Sequence, residues 1–337
     1  MKHAEPSYPP VLTCRESRDS ARSRARCRTW PQRLIGPIIV AVLAATAGCF
    51  PSDPEKPGAE PSVDKSPPVW ANGIAIDEEG YLWIADGLGS QLLRLKPPGT
   101  KIVARYPVGG GLEFPDDLVV TPDAVYYTGS VSGTVSKLDR QTGATTVLGY
   151  VGLGVNPIAL SPSGRLLAGI APGAFPELSP LFNGLFEIDP AGRRSPVRLL
   201  RDSSSINAFC VGRDGFVYGP ALSSVVRIDL ERGTTATLTG GDGYLTAVRE
   251  NPHDGRLYVL ETRPANDPQA ALLFSMESDG RDRRTFAQLS RQPDALYAAD
   301  NFAIAADGTF YVTRLSPIIT RISPDASRIE DFPIGVR

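Results

Sequence analysis

The chain has 337 residues, enough for two average domains or for one large all-β domain. With 33 Gly, 31 Pro and only two His, it suits a turn-rich β architecture and argues against a helical one. The formal net charge is −2 and becomes more negative once the basic N-terminal stretch is set aside, so nucleic acid, whose binding needs clustered Lys and Arg, is not expected as a partner.

Residues 1–33 carry eight Lys/Arg against three acids, and an uncharged run, L-I-G-P-I-I-V-A-V-L-A-A-T-A-G, follows from Leu34 to Gly48. A basic region, a short apolar region and small residues before a break have the layout of an export signal, and the run is short for a membrane span. Two readings of the break stand side by side. Ala47-Gly48-Cys49 has the end of a lipoprotein signal, in which Cys49 becomes the lipidated first residue, although Thr46 replaces the usual Leu. Ala45-Thr46-Ala47 also fits a plain A-x-A cleavage site that would release a soluble protein. The lipoprotein reading is preferred because Cys49 has no other evident use; an uncleaved anchor ranks third.

Removing eight of the 35 basic and three of the 37 acidic residues leaves 27 and 34, about seven negative charges on the exported part. Cys14 and Cys27 fall in the leader and Cys49 at its end, so Cys210 is alone in the remaining chain and is read as a small buried hydrophobe. From Phe50 to Pro68 the sequence is Pro-rich and nearly free of apolar residues, a tether. The expected organisation is therefore a signal over 1–48, a linker over 49–68 and one folded domain over 69–337.

That domain repeats. Strand starts N-G-I-A-I (Asn72), D-D-L-V-V (Asp116), N-P-I-A-L (Asn156), N-A-F-C-V (Asn207), a degenerate L-T-A-V-R (Leu245) and D-N-F-A-I (Asp300) are each followed by a turn and a second strand such as Y-L-W-I-A or T-F-Y-V-T. A third strand and a weaker fourth follow in most copies. Four strands per unit, six units and a period of roughly 45 residues predict a six-bladed β-propeller of four-stranded blades. The sixth unit has its own fourth strand, ending at R-I-E-D-F-P-I, so closure by an N-terminal strand is not required.

In a propeller the first strand of each blade lines the central channel, which places Asn72, Asp116, Asn156, Asn207 and Asp300 in one ring at the channel mouth. Asn or Asp at a strand start also satisfies loop amides through Asx-turns, and for any single position that role suffices. Five in one register suggest more. Converging oxygen donors suit a hard cation, with calcium favoured and zinc disfavoured, because the only His of the exported part, His253, sits in a turn at the far end of its strand. Long insertions at Ala171 to Asn183, at Thr262 to Ala271 and before Asp300 all fall on the ring face, where Phe175, Leu178, Leu181 and Phe182 offer either a pocket wall or a loop minicore.

From about Trp70 to Arg337 the repeats resemble those of the NHL type and of the gluconolactonase/regucalcin-like propellers, and D-N-F-A-I-A-A-D-G-T-F-Y-V is similar to a blade of the related paraoxonases. The resemblance implies a channel-mouth calcium held by Asn72, Asp116, Asn156, Asn207 and Asp300, and lactone or ester hydrolysis. Two features depart from the pattern: no Glu stands in the register where gluconolactonase-like members supply one, and no His stands where paraoxonases or virginiamycin-lyase-like propellers need theirs. The expected function is an exported calcium-dependent lactonase or esterase with Asp116 or Asp300 as base, Asp117 and Asn301 pointing into the blade. The alternative is a non-catalytic NHL-like lipoprotein that binds a ligand or a protein on the ring face. The protein is expected to be monomeric, in the cell envelope or secreted, and to touch the membrane only through a lipid anchor.

Overall fold

The computed structural model describes residues 70–98, 101–111, 113–170, 184–200, 206–263, 270–290 and 299–335. The leader, Cys49, the tether and the four apolar residues of the Ala171 to Asn183 insertion lie outside them. The described residues form six four-stranded antiparallel sheets, each made of strands consecutive in the chain. Among them the only helical element is a 3-10 turn at Gly109–Gly111.

The innermost strands of blades 1 to 6 are Ala71–Ile76, Pro115–Val120, Val155–Leu160, Cys210–Val211, Tyr244–Glu250 and Phe302–Ile304. The second strands are Leu82–Asp86, Ala124–Gly129, Leu166–Ile170, Val217–Ala221, Leu257–Thr262 and Phe310–Thr313. These segments form strands because apolar and β-branched residues occur on both alternating sets of positions, and both sets are covered. Leu82 and Ile84 pack toward blade 6 with Tyr311 and Ile319, whereas the intervening Trp83 and Ala85 pack toward blade 2 with Leu118 and Val125. Each such side chain contributes about 2 kcal/mol on full burial. Six clusters of this kind fill the six spaces between neighbouring blades.

Ring closure needs no exchanged strand. The outer strand of blade 6, Ile329–Pro333, comes from its own repeat, and blade 1 joins blade 6 through the Leu315 amide on the Ala71 carbonyl at 3.1 Å and through their shared apolar cluster. On the face opposite the ring, turn aspartates brace one second-strand position: Asp77 accepts from Trp83 Nε1 at 3.0 Å, Asp214 from the Tyr218 hydroxyl at 2.6 Å and Asp254 from the Tyr258 hydroxyl at 3.0 Å. The strands that flank the insertions of blades 3 and 5, ending at Ile170 and Thr262 and resuming at Gly184 and Ala271, meet them on the ring face, while the insertions themselves lie largely outside the described residues.

Candidate functional site at the channel mouth

The pairing register places the ring. Ile74, Leu118, Ile158, Val248 and Phe302 pair with equivalent second-strand residues, and Cys210 opposite Tyr218 sets blade 4 in the same register. Two residues before each anchor stand Asn72, Asp116, Asn156, Asn207, Thr246 and Asp300. The five residues expected from the sequence therefore share one level, and Thr246 completes it. That sixth member was hidden because the fifth repeat opens on Leu245 and carries neither Asn nor Asp there; the signal that locates it is the second-strand match of L-Y-V-L-E to L-W-I-A-D.

The backbone at this level is held between blades. Thr128 Oγ1, on the second strand of blade 2, donates to the Asn156 carbonyl at 2.6 Å, and Thr313 Oγ1 at the same position of blade 6 bonds the Asn72 carbonyl. Asn207 Oδ1 caps the Ala208 amide at 2.9 Å, the Asx role anticipated for single positions. Asn72 does something else: its Nδ2 donates to Asp116 Oδ1 of the next blade at 2.8 Å, with both residues buried.

Asp117 and Asn301, one residue along, turn toward each other instead of into separate blades. Asn301 Nδ2 donates to Asp117 Oδ1 at 3.0 Å, from blade 6 to blade 2 and past blade 1. Gly73 makes that possible. A Cβ on Gly73 would lie 2.6 Å from the Asp116 carbonyl oxygen and 3.0 Å from Asp117 Oδ1, so any side chain there would collide with the bonded pair. Arg249 Nη2 donates to Asn301 Oδ1 at 2.9 Å and stands 3.8 Å from Asp117 Oδ2.

Three carboxyl groups are thus close together with one guanidinium beside them. Burial, then the negative charges of Asp300 and Asp117, push the Asp116 carboxyl well above its ordinary range, against the Asn72 hydrogen bond. Burial and the charge of Asp117 push Asp300 up to about 7. Asp117 is also raised by burial, with Arg249 the foremost influence in the other direction. A carboxyl poised near neutrality can take or give a proton under physiological conditions.

The donor set is all oxygen, which fits a hard cation such as calcium better than zinc or copper. Two carboxylates whose charged neighbours are other carboxylates would be stabilised by such an ion. Among the described residues no group of three or more His, Cys, Asp or Glu is arranged to hold a metal, so the fit rests on Asp116 and Asp300, with Asn156 and Asn207 at the same level of neighbouring blades. The other acids of this face are committed elsewhere. Glu113 accepts from Thr134 Oγ1 at 2.7 Å, and Glu261 bonds Arg263 and Arg283 at 3.1 Å each. Neither supplies a Glu at the ring level.

Cys210 packs against the apolar cluster between blades 4 and 5, and burial pushes its thiol up to about 12, which argues against a thiolate nucleophile at neutral pH. His253 lies in the turn after the innermost strand of blade 5, on the far face, where Asn251 Oδ1 accepts from its backbone amide at 2.9 Å.

No protein-family model matches the chain, and no curated protein matches it. Solved structures do. Virginiamycin B lyase from Staphylococcus aureus aligns over 83% of this chain and 88% of its own, with TM-score 0.57 and 16% identity. A calcium-binding protein, regucalcin, from Agrobacterium tumefaciens aligns over 76% and 85%, with TM-score 0.52 and 16% identity. A putative gluconolactonase aligns over 80% and 92%, with TM-score 0.56 and 12% identity. Of the lyase, a variant with one histidine replaced by alanine is described as catalytically inactive; the described residues here have only His253, away from the mouth. At these identities the likeness establishes the fold alone: the chain is a six-bladed propeller whose structural neighbours include gluconolactonase/regucalcin-like propellers.

Proposed function

We propose that the protein is an exported calcium-dependent hydrolase of a lactone or ester, held at the cell envelope through Cys49 and working as a monomer. The observation that carries this reading is the convergence of Asp116 and Asp300 at a buried channel mouth where the neighbouring charges acting on them are negative. A bound calcium ion would supply Lewis-acid polarisation of the scissile carbonyl.

The residues divide the work by their surroundings. Asp116, fixed by the Asn72 amide, is suited to hold the ion, with Asn156 and Asn207 contributing from neighbouring blades. Asp300, on the ring from blade 6, is suited to take the proton from the attacking water and return it to the leaving oxygen.

The reading is tested by melting the protein in calcium and in chelator while assaying hydrolysis of a panel of lactones and aryl esters. A ligand that binds only the native state adds about 2.7 kcal/mol at a hundredfold excess over Kd. Asp116→Asn and Asp300→Asn should each reduce the calcium-dependent rise in Tm and abolish turnover. Equal Tm values with and without chelator, together with no turnover, would leave the second reading, a ligand-binding or protein-interaction propeller, which is favoured by the lack of a three-acid chelate among the described residues.

A further inference from the structure

Below the ring, one innermost strand departs from the other five. Three residues past the ring, five innermost strands carry Ala75, Val119, Ala159, Cys210 and Ala303, which pack against the apolar clusters between blades, and the sixth carries Arg249. The Arg249 side chain is only 19% exposed. Its Nη1 donates to the Phe209 carbonyl at 2.9 Å and the Val248 carbonyl at 3.1 Å, and its Nη2 donates to Asn301 Oδ1 at 2.9 Å and faces Asp117 Oδ2 at 3.8 Å. One guanidinium from blade 5 therefore engages blades 4 and 6 and, across the axis, blade 2.

Its two side-chain partners have a particular place in the chain. Asp117 directly follows Asp116, and Asn301 directly follows Asp300. Asp117 and Asn301 are bonded to each other over Gly73, and both also cap the amide after them, Leu118 at 2.9 Å and Phe302 at 2.8 Å. Their rotamers are thus locked from several directions, which fixes the backbone one peptide away from each ring carboxylate.

We propose that Arg249 is a positioning residue for the Asp116–Asp300 pair: it grips from beneath the residue following each carboxylate and balances Asp117, so that two uncompensated carboxylates, not three, face the mouth. The inference rests on the cation-binding reading of the ring. A site tuned to two negative charges suits a divalent ion, and its preference should follow its charge count. Changing Arg249 adds one negative charge to the site, and changing Asp117 removes one.

The test measures calcium and terbium affinities of the full chain by competition, using terbium luminescence and calorimetry. Arg249→Met should raise the terbium-to-calcium affinity ratio by about tenfold, because the added negative charge acts more strongly on a trivalent ion. Asp117→Asn keeps the side-chain size and leaves the guanidinium uncompensated, so it should weaken both ions and lower the ratio by about tenfold. A merely structural role predicts no such opposite movement. Ratios that stay at the wild-type value, or move the same way in both variants, would overturn the positioning role while leaving the ring reading intact. A wild-type protein that binds neither ion would overturn both. Should Arg249→Met fail to fold, the sign of the Asp117→Asn shift decides alone.

Discussion

Asp77 and the ring aspartates Asp116 and Asp300 lie at opposite ends of the innermost strands of their blades, and their environments push them in opposite directions. Asp77, just after the innermost strand of blade 1, accepts hydrogen bonds from Trp83 Nε1, the Tyr81 and Glu79 amides and Arg94 Nε, and pairs with Arg94 and Arg140 at 2.7 and 3.2 Å. Burial works to raise its carboxyl, and the combined hydrogen bonds and guanidinium charge hold it below the ordinary value. Asp116 at the ring is buried too and Asp300 is half-buried, but their charged neighbours are carboxylates, and their carboxyls are raised. Burial alone therefore does not distinguish a structural acid from a candidate functional one. The difference is whether the chain itself supplies the counter-charge. At Asp77 it supplies two arginines; at the ring it supplies Arg249 to Asp117 and leaves the other two carboxylates for something else.

The largest effect should come from breaking the satisfied site. Asp77→Ala leaves Arg94 and Arg140, with side chains 20% and 10% exposed, without their shared carboxylate. The expected loss is about 3 kcal/mol, read as a lowered urea midpoint at unchanged m-value.

A smaller change of the opposite sign is expected at the ring. In chelator at pH 8, Asp116→Asn and Asp300→Asn should each stabilise the protein by about 1 kcal/mol, because each removes a buried charge held among like charges. A loss of stability in both variants would show that the carboxylates are paired after all.

The two sites should also separate by pH. A carboxyl raised in the folded state contributes stability that is complete below its unfolded value and is lost as pH rises through the folded one. Metal-free protein should therefore lose stability from about pH 4 to about pH 7 through Asp300, and Asp300→Asn should flatten that limb of the Tm profile. Asp77 behaves in reverse: its contribution is present above the ordinary carboxylate range and is lost in acid, as pH falls through its lowered folded value.

The smallest effect is an uncharged control. Thr128 Oγ1 accepts from the Asp117 amide at 3.1 Å and donates to the Asn156 carbonyl at 2.6 Å, so it shapes the mouth without adding charge. Thr128→Val should cost about 1 kcal/mol in chemical denaturation and leave the pH profile unchanged.

The architecture was legible before any coordinates, because a propeller blade is a local object. Its strands are consecutive, its turns are marked by D-E-E-G or A-A-D-G, and a repeat that buries both strand faces writes apolar residues into every copy. The ring level was legible for the same reason: Asn72, Asp116, Asn156, Asn207 and Asp300 keep one register relative to their own second strands. Thr246 escaped because its repeat lacks the polar signature, and register is set by pairing with Leu257–Thr262 rather than by residue type.

What could not be read along the chain is everything that crosses the axis. Asn301 and Asp117 are 184 residues apart and meet only because blades 6 and 2 flank a glycine. Arg249 closes the degenerate L-T-A-V-R segment, and nothing along the chain pairs it with Asn301 or Asp117. Which carboxylate is neutralised and which is left uncompensated depends on closure of the ring, since Coulomb interactions and desolvation follow distance in space, and only the closed propeller brings these charges within a few ångströms of one another.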